Sequence, residues 1–491
     1  MKVLTFLVVL GALSGCQAGD PAPKVAEKPA TERCRVAGID IAIDCGVIEV
    51  FENRAANAGR RIEIHFAVLR AKSDRKKPVP LFILAGGPGL SAIQVAPMLQ
   101  GMVSKINRER DIVFVDQRGT GESNALKCDP DEEADNFNFA DATRAATMAR
   151  DCLAEVRTHA DPALYITPIA MQDLEDVRKA LGYTQINLWG ASYGTRAALE
   201  YLRRYPGAVR SVVLDGVAPF DIKLPLSFIA DGNAALASLI AACDAAPECK
   251  KTFPDFAADL RRLLADLRTK PRTLEVVHPR TGEKIKATIT PAALLGGMRA
   301  ALYGANLAGL IPHAIEAALK QDFAPIVTLA FSIGGPVLDQ LAIGMHLTVV
   351  CAEDWPLVEA EMAKLKSSRQ EFYGAETIDE HQRMCAIWPR GQVPKDYYDP
   401  VKSGVPVLLL SGGIDPATPP RHAEQVLKGL SRGRHLIAPN LGHGVSSQGC
   451  APEIIKRFIE DGNADKINGA CLAKIPRPPF YLPLTTAQTA T

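Results

Sequence analysis

Asn187-Leu-Trp-Gly-Ala-Ser-Tyr-Gly-Thr195 decides how this chain is read. The apolar residues at its start, Ile186, Leu188 and Trp189, form a short run of the kind a buried strand requires. Beyond it, Ala197, Ala198, Leu199 and Leu202 recur at helical spacing between Thr195 and Arg204. Between the two, Gly190-Ala-Ser-Tyr-Gly194 is a G-x-S-x-G motif in a strand-turn-helix setting. A turn that sharp tolerates only small residues beside the serine, and it leaves the Ser192 hydroxyl exposed at the carboxyl edge of a sheet. The helix that follows points its first N–H groups at the same spot, where they would stabilise a developing oxyanion. An idle serine in a Gly-rich turn would look the same in isolation; the flanking pattern argues for a nucleophile.

Other strand signals surround this one. Val47-Ile-Glu-Val50 and the alternating Ile62, Ile64, Phe66 and Val68, with Asn57-Ala-Gly59 between them, read as a β-hairpin. Pro80-Leu-Phe-Ile-Leu84 opens into Ala85-Gly-Gly-Pro-Gly89, and Asp111-Ile-Val-Phe-Val115 runs into Asp116-Gln-Arg-Gly-Thr-Gly-Glu-Ser123. Ser211-Val-Val-Leu214 leads into Asp215-Gly216. After Pro219 the rhythm becomes helical, as at Ala234 to Ala246 and Phe256 to Leu267. One hairpin interrupts it, Leu274 to Val277 and Ile285 to Ile289 around Arg280-Thr-Gly-Glu283. The strand rhythm returns with Val405 to Leu410, entering Ser411-Gly-Gly-Ile-Asp415, and with Arg434 to Ala438, entering Pro439-Asn-Leu-Gly-His-Gly444. Strands alternating with helices predict an α/β fold: a mostly parallel, eight-stranded sheet with an inserted, mainly helical cap. The expected division is core over 34–219 and 401–475, cap over 220–400, and a C-terminal tail over 476–491.

A serine hydroxyl needs a base to take its proton, and the base needs a carboxylate to fix its tautomer. Ser192, Asp415 and His443 each follow a strand signal, so a parallel sheet would bring all three to one edge. His443 sits between glycines after the last strand, whereas His435 begins that strand and His422 lies in a helical run. Asp215 is a rival acid, since it too follows a strand; its alternative is a turn-forming Asp-Gly. Oxyanion donors are expected from the N–H of Tyr193 and from the Ala85–Gly89 loop through Gly87, because Pro88 has no N–H.

Gly86-Gly-Pro-Gly89, Asp116-Gln-Arg-Gly-Thr-Gly-Glu-Ser123, Gly190-Ala-Ser-Tyr-Gly194, Gly412-Gly-Ile-Asp-Pro416 and Gly442-His-Gly444 together resemble the prolyl iminopeptidase and tripeptidyl aminopeptidase branch of the α/β-hydrolases, over residues 45 to 475. The resemblance implies the α/β-hydrolase fold and a serine peptidase, without metal or organic cofactor, acting on peptides with a free N-terminus. It also implies that acidic residues from the cap hold the substrate's α-ammonium, for which Glu353 and Asp354 in Val350-Cys-Ala-Glu-Asp-Trp355 are the candidates. A solvated acidic pair at a helix end is their plain alternative. Arg118 is expected to brace its loop by binding backbone carbonyls. Two departures stand out: Ala85 where His is common, and Gly-Thr in place of Gly-Gly at the end of the elbow. Neither removes a catalytic atom. A carboxylesterase or other acyl hydrolase could use the same triad, and a catalytically silent binding lipoprotein is a third reading.

The 491 residues carry a formal net charge of +1, and no basic run interleaved with aromatics suggests nucleic acid. Lys2 precedes an apolar run from Val3 to Leu13, the length of a secretory h-region. Leu13-Ser-Gly-Cys16 resembles a bacterial lipobox, which implies cleavage before Cys16, lipid on its thiol and, with Gln17 following, outer-membrane anchoring. Residues 1–16 are then a signal peptide and 17–33 a flexible tether. No apolar stretch after the N-terminus reads as a membrane span. Of eleven cysteines, ten remain once Cys16 is set aside. Sequential pairing would give five local bridges, as an oxidising compartment permits, although spacing alone leaves the connectivity open.

Overall fold

The computed structural model describes residues 1, 29–128, 142–279, 281–338, 340–365, 372–374 and 376–483. The expectations placed on Cys16 and the signal segment fall outside these residues.

Eleven strands form: β1 (Thr31–Cys34), β2 (Ile43–Phe51), β3 (Arg61–Leu69), β4 (Leu81–Leu84), β5 (Ile112–Val115), β6 (Ile186–Ala191), β7 (Val209–Asp215), β8 (Arg272–Val277), β9 (Lys284–Ile289), β10 (Val407–Gly412) and β11 (Gly433–Ala438). Nine of them make one sheet in the order β1-β2-β3-β5-β4-β6-β7-β10-β11. From β5 to β11 neighbours run parallel, whereas β1, β2 and β3 join antiparallel at one edge. The sheet therefore has one strand more than the eight expected. The extra strand takes Thr31–Arg33 from the segment assigned to the tether. Thr31-Glu-Arg-Cys34 has no apolar alternation to announce a strand; it is held by pairing with β2 and by the Cys34–Cys45 disulfide.

The period of two in the strands divides the interior. Leu81 and Ile83 of β4 pack on one face with Phe114, Trp189, Val213, Leu408 and Leu410. Phe82 and Leu84 pack on the other with Val113, Leu188, Val212, Leu214 and Leu409. Both faces are covered, so these strands read as unbroken apolar runs.

Between β7 and β10 the chain is mainly helical. It includes the helices Leu226–Ala245, Pro291–Tyr303 and Ile343–Val349, a π-helical turn at Val350–Asp354, and the separate β8–β9 hairpin. One expectation needs correcting here: Ser227–Ala245 is long and apolar enough to span a bilayer by length and composition, with a mean hydropathy of 1.3. Its Ile229, Leu236, Leu239 and Cys243 are buried in the core, and Asp231 pairs with Arg421 and His422 of the sheet domain. The helix packs on the core through these residues, with 39% of its apolar window buried.

Five disulfides join Cys34–Cys45, Cys128–Cys152, Cys243–Cys249, Cys351–Cys385 and Cys450–Cys471, the sequential pattern. Bridges in this number belong to an exported protein.

Candidate active site

Because β4, β5, β6, β7, β10 and β11 are mutually parallel, their carboxyl ends lie along one sheet edge, and the loops carrying Gly87, Asp116, Ser192, Asp215, Asp415 and His443 all open there. Ser192 has φ +55° and ψ −124°, a strained conformation for a residue with a side chain. Its glycine neighbours explain how the turn closes. A Cβ on Gly190 would lie 2.2 Å from the Gly194 carbonyl oxygen, and one on Gly194 would lie 2.2 Å from the Leu84 carbonyl oxygen. Only glycine fits at either position.

Two contacts tie the serine and the histidine to the end of β7. The Ser192 N–H donates to the Asp215 carbonyl at 2.9 Å. The next residue, Gly216, leaves room for the His443 ring: a Cβ there would stand 3.1 Å from Cε1. His443 Nδ1 lies 2.8 Å from Asp415 Oδ2. The other Asp415 oxygen accepts N–H groups from Ala417 at 2.8 Å and Thr418 at 2.9 Å. Burial pulls the His443 imidazole down, but the charge and hydrogen bond of Asp415 outweigh it and set His443 above its ordinary value. Burial likewise pushes Asp415 up, yet His443 and the loop donors hold it below the usual carboxylate range. An Nδ1–H directed at a carboxylate leaves Nε2 as the free acceptor, the tautomer a general base needs.

Asp215, the rival acid, is engaged elsewhere. Its carboxylate accepts the N–H of Val445 at 2.9 Å and of Ser446 at 2.7 Å, and so clamps the loop just beyond His443.

Gly87 has φ +107° and Gly89 φ +111°, values that favour glycine. Tyr193 is the first residue of the helix Tyr193–Arg204, whose leading N–H groups have no partner within the helix. A Cβ on Gly86 would touch Ser192 Cβ at 3.0 Å, so the Gly-rich loop lies directly against the serine. The loop is braced from below by Asp116, which accepts from the Ser91 hydroxyl at 2.7 Å and the Ile93 N–H at 3.1 Å. Arg118 pairs with Asp173 through both carboxylate oxygens and donates to the carbonyls of Glu52 and Leu164.

The acidic pair needs a correction. Glu353 and Asp354 are both fully buried, and Arg196 already occupies them. Its guanidinium lies 2.9 Å and 3.1 Å from the two oxygens of Asp354 and 3.3 Å from Glu353. Glu353 also accepts from the Thr167 N–H at 2.7 Å and from the Tyr397 hydroxyl. Burial opposes a charged guanidinium, but the Asp354 and Glu353 carboxylates outweigh it and hold Arg196 firmly protonated. Arg196 stands one turn beyond Ser192, so the pair anchors the elbow helix and presents no free carboxylate to an ammonium.

Two residues had no part in the sequence reading. Thr418 Oγ1 donates to Asp415 Oδ2 at 2.8 Å and lies 3.0 Å from His443 Nδ1. Its signal was present: an Asp three residues before a Thr in a Pro-rich turn favours such local bonds. Tyr303, at the end of the helix Pro291–Tyr303, packs its ring against His443 with centroids 4.8 Å apart and planes tilted by 59°, and its backbone carbonyl accepts the His443 backbone N–H at 2.9 Å. Nothing in the sequence links these two residues.

Several known proteins resemble this chain. Residues 79–265 match the family described as alpha/beta hydrolase fold, and residues 370–471 match the family described as TAP-like protein. The chain is 23% identical over 440 residues to the serine protease Hip1 of Mycobacterium tuberculosis, covering 82% of this chain and 83% of that protein. It is 23% identical over 475 residues to a tripeptidyl aminopeptidase of Streptomyces lividans, covering 89% and 85%. A putative hydrolase of Escherichia coli, YuaR, is 32% identical over 165 residues, which span 33% of this chain and only 32% of that protein. Among solved structures, the proline iminopeptidase of Mycobacterium smegmatis aligns over 85% of this chain and 98% of its own, with 16% identity and a TM-score of 0.34.

Proposed function

We propose that this chain, a hydrolase of the α/β-hydrolase fold, is a serine aminopeptidase that cleaves residues or short peptides from free N-termini. The observation that carries the reading is the strained Ser192 elbow at the same sheet edge as the His443–Asp415 pair. Relatives named serine protease and tripeptidyl aminopeptidase, aligned over more than four-fifths of the chain, support peptides as the substrate class.

Ser192 Oγ attacks the scissile carbonyl carbon while His443 Nε2 takes its proton. Asp415 holds Nδ1–H and stabilises the imidazolium that forms. The N–H groups of Gly87 and Tyr193 receive the oxyanion. His443 returns the proton to the departing amine as the C–N bond breaks, and a water activated by the same base then releases the acyl group. Cys16 carries a lipid that anchors the exported enzyme to the outer membrane, a reading supported by the Leu13-Ser-Gly-Cys16 pattern.

One observation favours a second reading, a carboxylesterase: Glu353 and Asp354 are closed off by Arg196, so neither offers a free carboxylate to a substrate ammonium. Hydrolysis of free and N-acetylated peptidyl anilides, with Ser192→Ala as control, separates the two. Turnover confined to free-amine substrates and lost in the variant supports the aminopeptidase. Equal turnover of blocked peptides or simple esters refutes it in favour of the esterase.

A further inference from the structure

Arg299 lies on the helix Pro291–Tyr303, one turn before the tyrosine that packs against His443. It is half-buried, and its guanidinium carbon sits 4.2 Å above the centre of the Phe228 ring. Among the described residues no carboxylate pairs with it. Contrast Arg118 and Arg196, the other guanidiniums near the elbow, each of which is neutralised by an acid. A half-desolvated cation without a counter-ion is costly, and an aromatic face repays only part of that cost.

Its neighbours lie on two sides of the candidate site. On one side it hydrogen-bonds the Tyr303 hydroxyl, on the residue packed against His443. On the other it acts on His346, whose side chain bonds the carbonyl of Pro88 in the Gly87–Gly89 loop. His346 and His381 face each other with ring centroids 6.0 Å apart, and each has a buried Nδ1 with no partner. Burial pulls these histidines down, to about 4 and about 3, so both are neutral near pH 7 and Arg299 is the cation of this group. This region thus combines a guanidinium that has no carboxylate partner among the described residues with unmet polar atoms, next to the tyrosine packed against His443.

We propose that Arg299 is a specificity-determining residue that binds a carboxylate of the substrate and orients the scissile bond against Ser192 and His443. Resting on the peptidase reading above, the assignment makes the preferred substrate an acidic one. Its carboxylate is either a Glu or Asp side chain beside the cleaved bond or the free C-terminus of a short peptide. A guanidinium meets a carboxylate in either case with two parallel N–H donors.

The test uses the full chain, Arg299→Met and Arg299→Lys, each checked for an unchanged thermal midpoint. Two pairs of unblocked peptides are cleaved: one differs by Glu or Gln before the scissile bond, the other by a free or amidated C-terminus. The proposal expects the unaltered protein to favour the carboxylate member of one pair in kcat/KM by about tenfold or more, the worth of one charge-assisted bond. Arg299→Met brings that ratio to within about twofold, and Arg299→Lys restores part of it. The pair that responds identifies the source of the carboxylate. No preference in either pair overturns the proposal, as does a variant that slows both members equally, the signature of a merely structural residue. If the unaltered protein cleaves esters and no peptides, the peptidase reading falls. The carboxylate site is then judged by the same ratio on nitrophenyl acetate against mono-nitrophenyl glutarate.

Discussion

Replacing each of two aspartates by asparagine separates the acid of the triad from the acid of the scaffold. In Asp415→Asn, the amide oxygen can keep the N–H bonds from Ala417 and Thr418, now at 2.8 Å and 2.9 Å, so the loop need not move. The amide nitrogen then faces His443 Nδ1 at the present 2.8 Å. An NH2 donor there forces Nδ1 to accept, the proton moves to Nε2, and the base can no longer take a proton from Ser192. In a protease triad that inversion lowers kcat by about 10⁴, equivalent to about 5.5 kcal/mol, with little effect on folding. In Asp215→Asn the sites exchanged are the Val445 and Ser446 N–H bonds at 2.9 Å and 2.7 Å. An amide oxygen at the Oδ2 position can keep both, at 3.0 Å and 2.7 Å, but the NH2 replacing Oδ1 then stands 2.9 Å from the Val445 N–H, two buried donors face to face, at a cost of about 2–3 kcal/mol. That variant should lose about 2–3 °C in thermal midpoint, the shift that about 2–3 kcal/mol makes in a chain of this length, and less than about a hundredfold in kcat. The assay is turnover of a peptidyl anilide normalised to fluorophosphonate-reactive enzyme, beside a thermal melt. The reverse pattern, catalysis surviving in Asp415→Asn and collapsing in a stable Asp215→Asn, would refute the assignment of the acid.

Thr418→Val keeps the shape and removes the hydroxyl shared by Asp415 and His443, so kcat should fall about tenfold, the loss of one bond to a charged group, while the melt stays near that of the parent. The raised His443 sets a pH profile: only the neutral imidazole accepts a proton, so kcat/KM should climb with pH through a midpoint above the ordinary histidine value of about 6.5. A midpoint below that value would contradict the Asp415–His443 pairing. Arg196→Met leaves Glu353 and Asp354 buried without their counter-ion and should destabilise the fold by about 3–5 kcal/mol, read as a lower denaturant midpoint. An unaffected midpoint would return the acidic pair to the role of ammonium site.

What the chain announces by itself is local. The glycine at 190 can be recognised from sequence because a side chain there would meet the Gly194 carbonyl four residues on, whereas at Gly194 it is the Leu84 and Ala85 carbonyls of the neighbouring strand that exclude one, a tertiary reason the motif records without revealing. Apolar runs such as Leu81–Leu84 and Ile112–Val115 read as buried strands for the same reason: both faces of each strand must be apolar wherever the sheet is covered on both sides. The order of Ser192, Asp415 and His443 follows, since parallel strands deliver their loops to one edge. Pairing across long distances is a different matter. Sequence put Glu353 and Asp354 in the cap as candidates to hold a substrate ammonium, but their charge is answered by Arg196, 157 and 158 residues away, and only packing brings that guanidinium to them. The same holds for Tyr303 on His443, for Arg299 on Phe228, and for β1, a strand made by its partner and a disulfide. Periodicity and turn chemistry record which surfaces must be buried and where the backbone must bend. Which buried charge meets which counter-charge depends on the relative placement of whole elements, and that is settled when the helical insertion packs against the sheet.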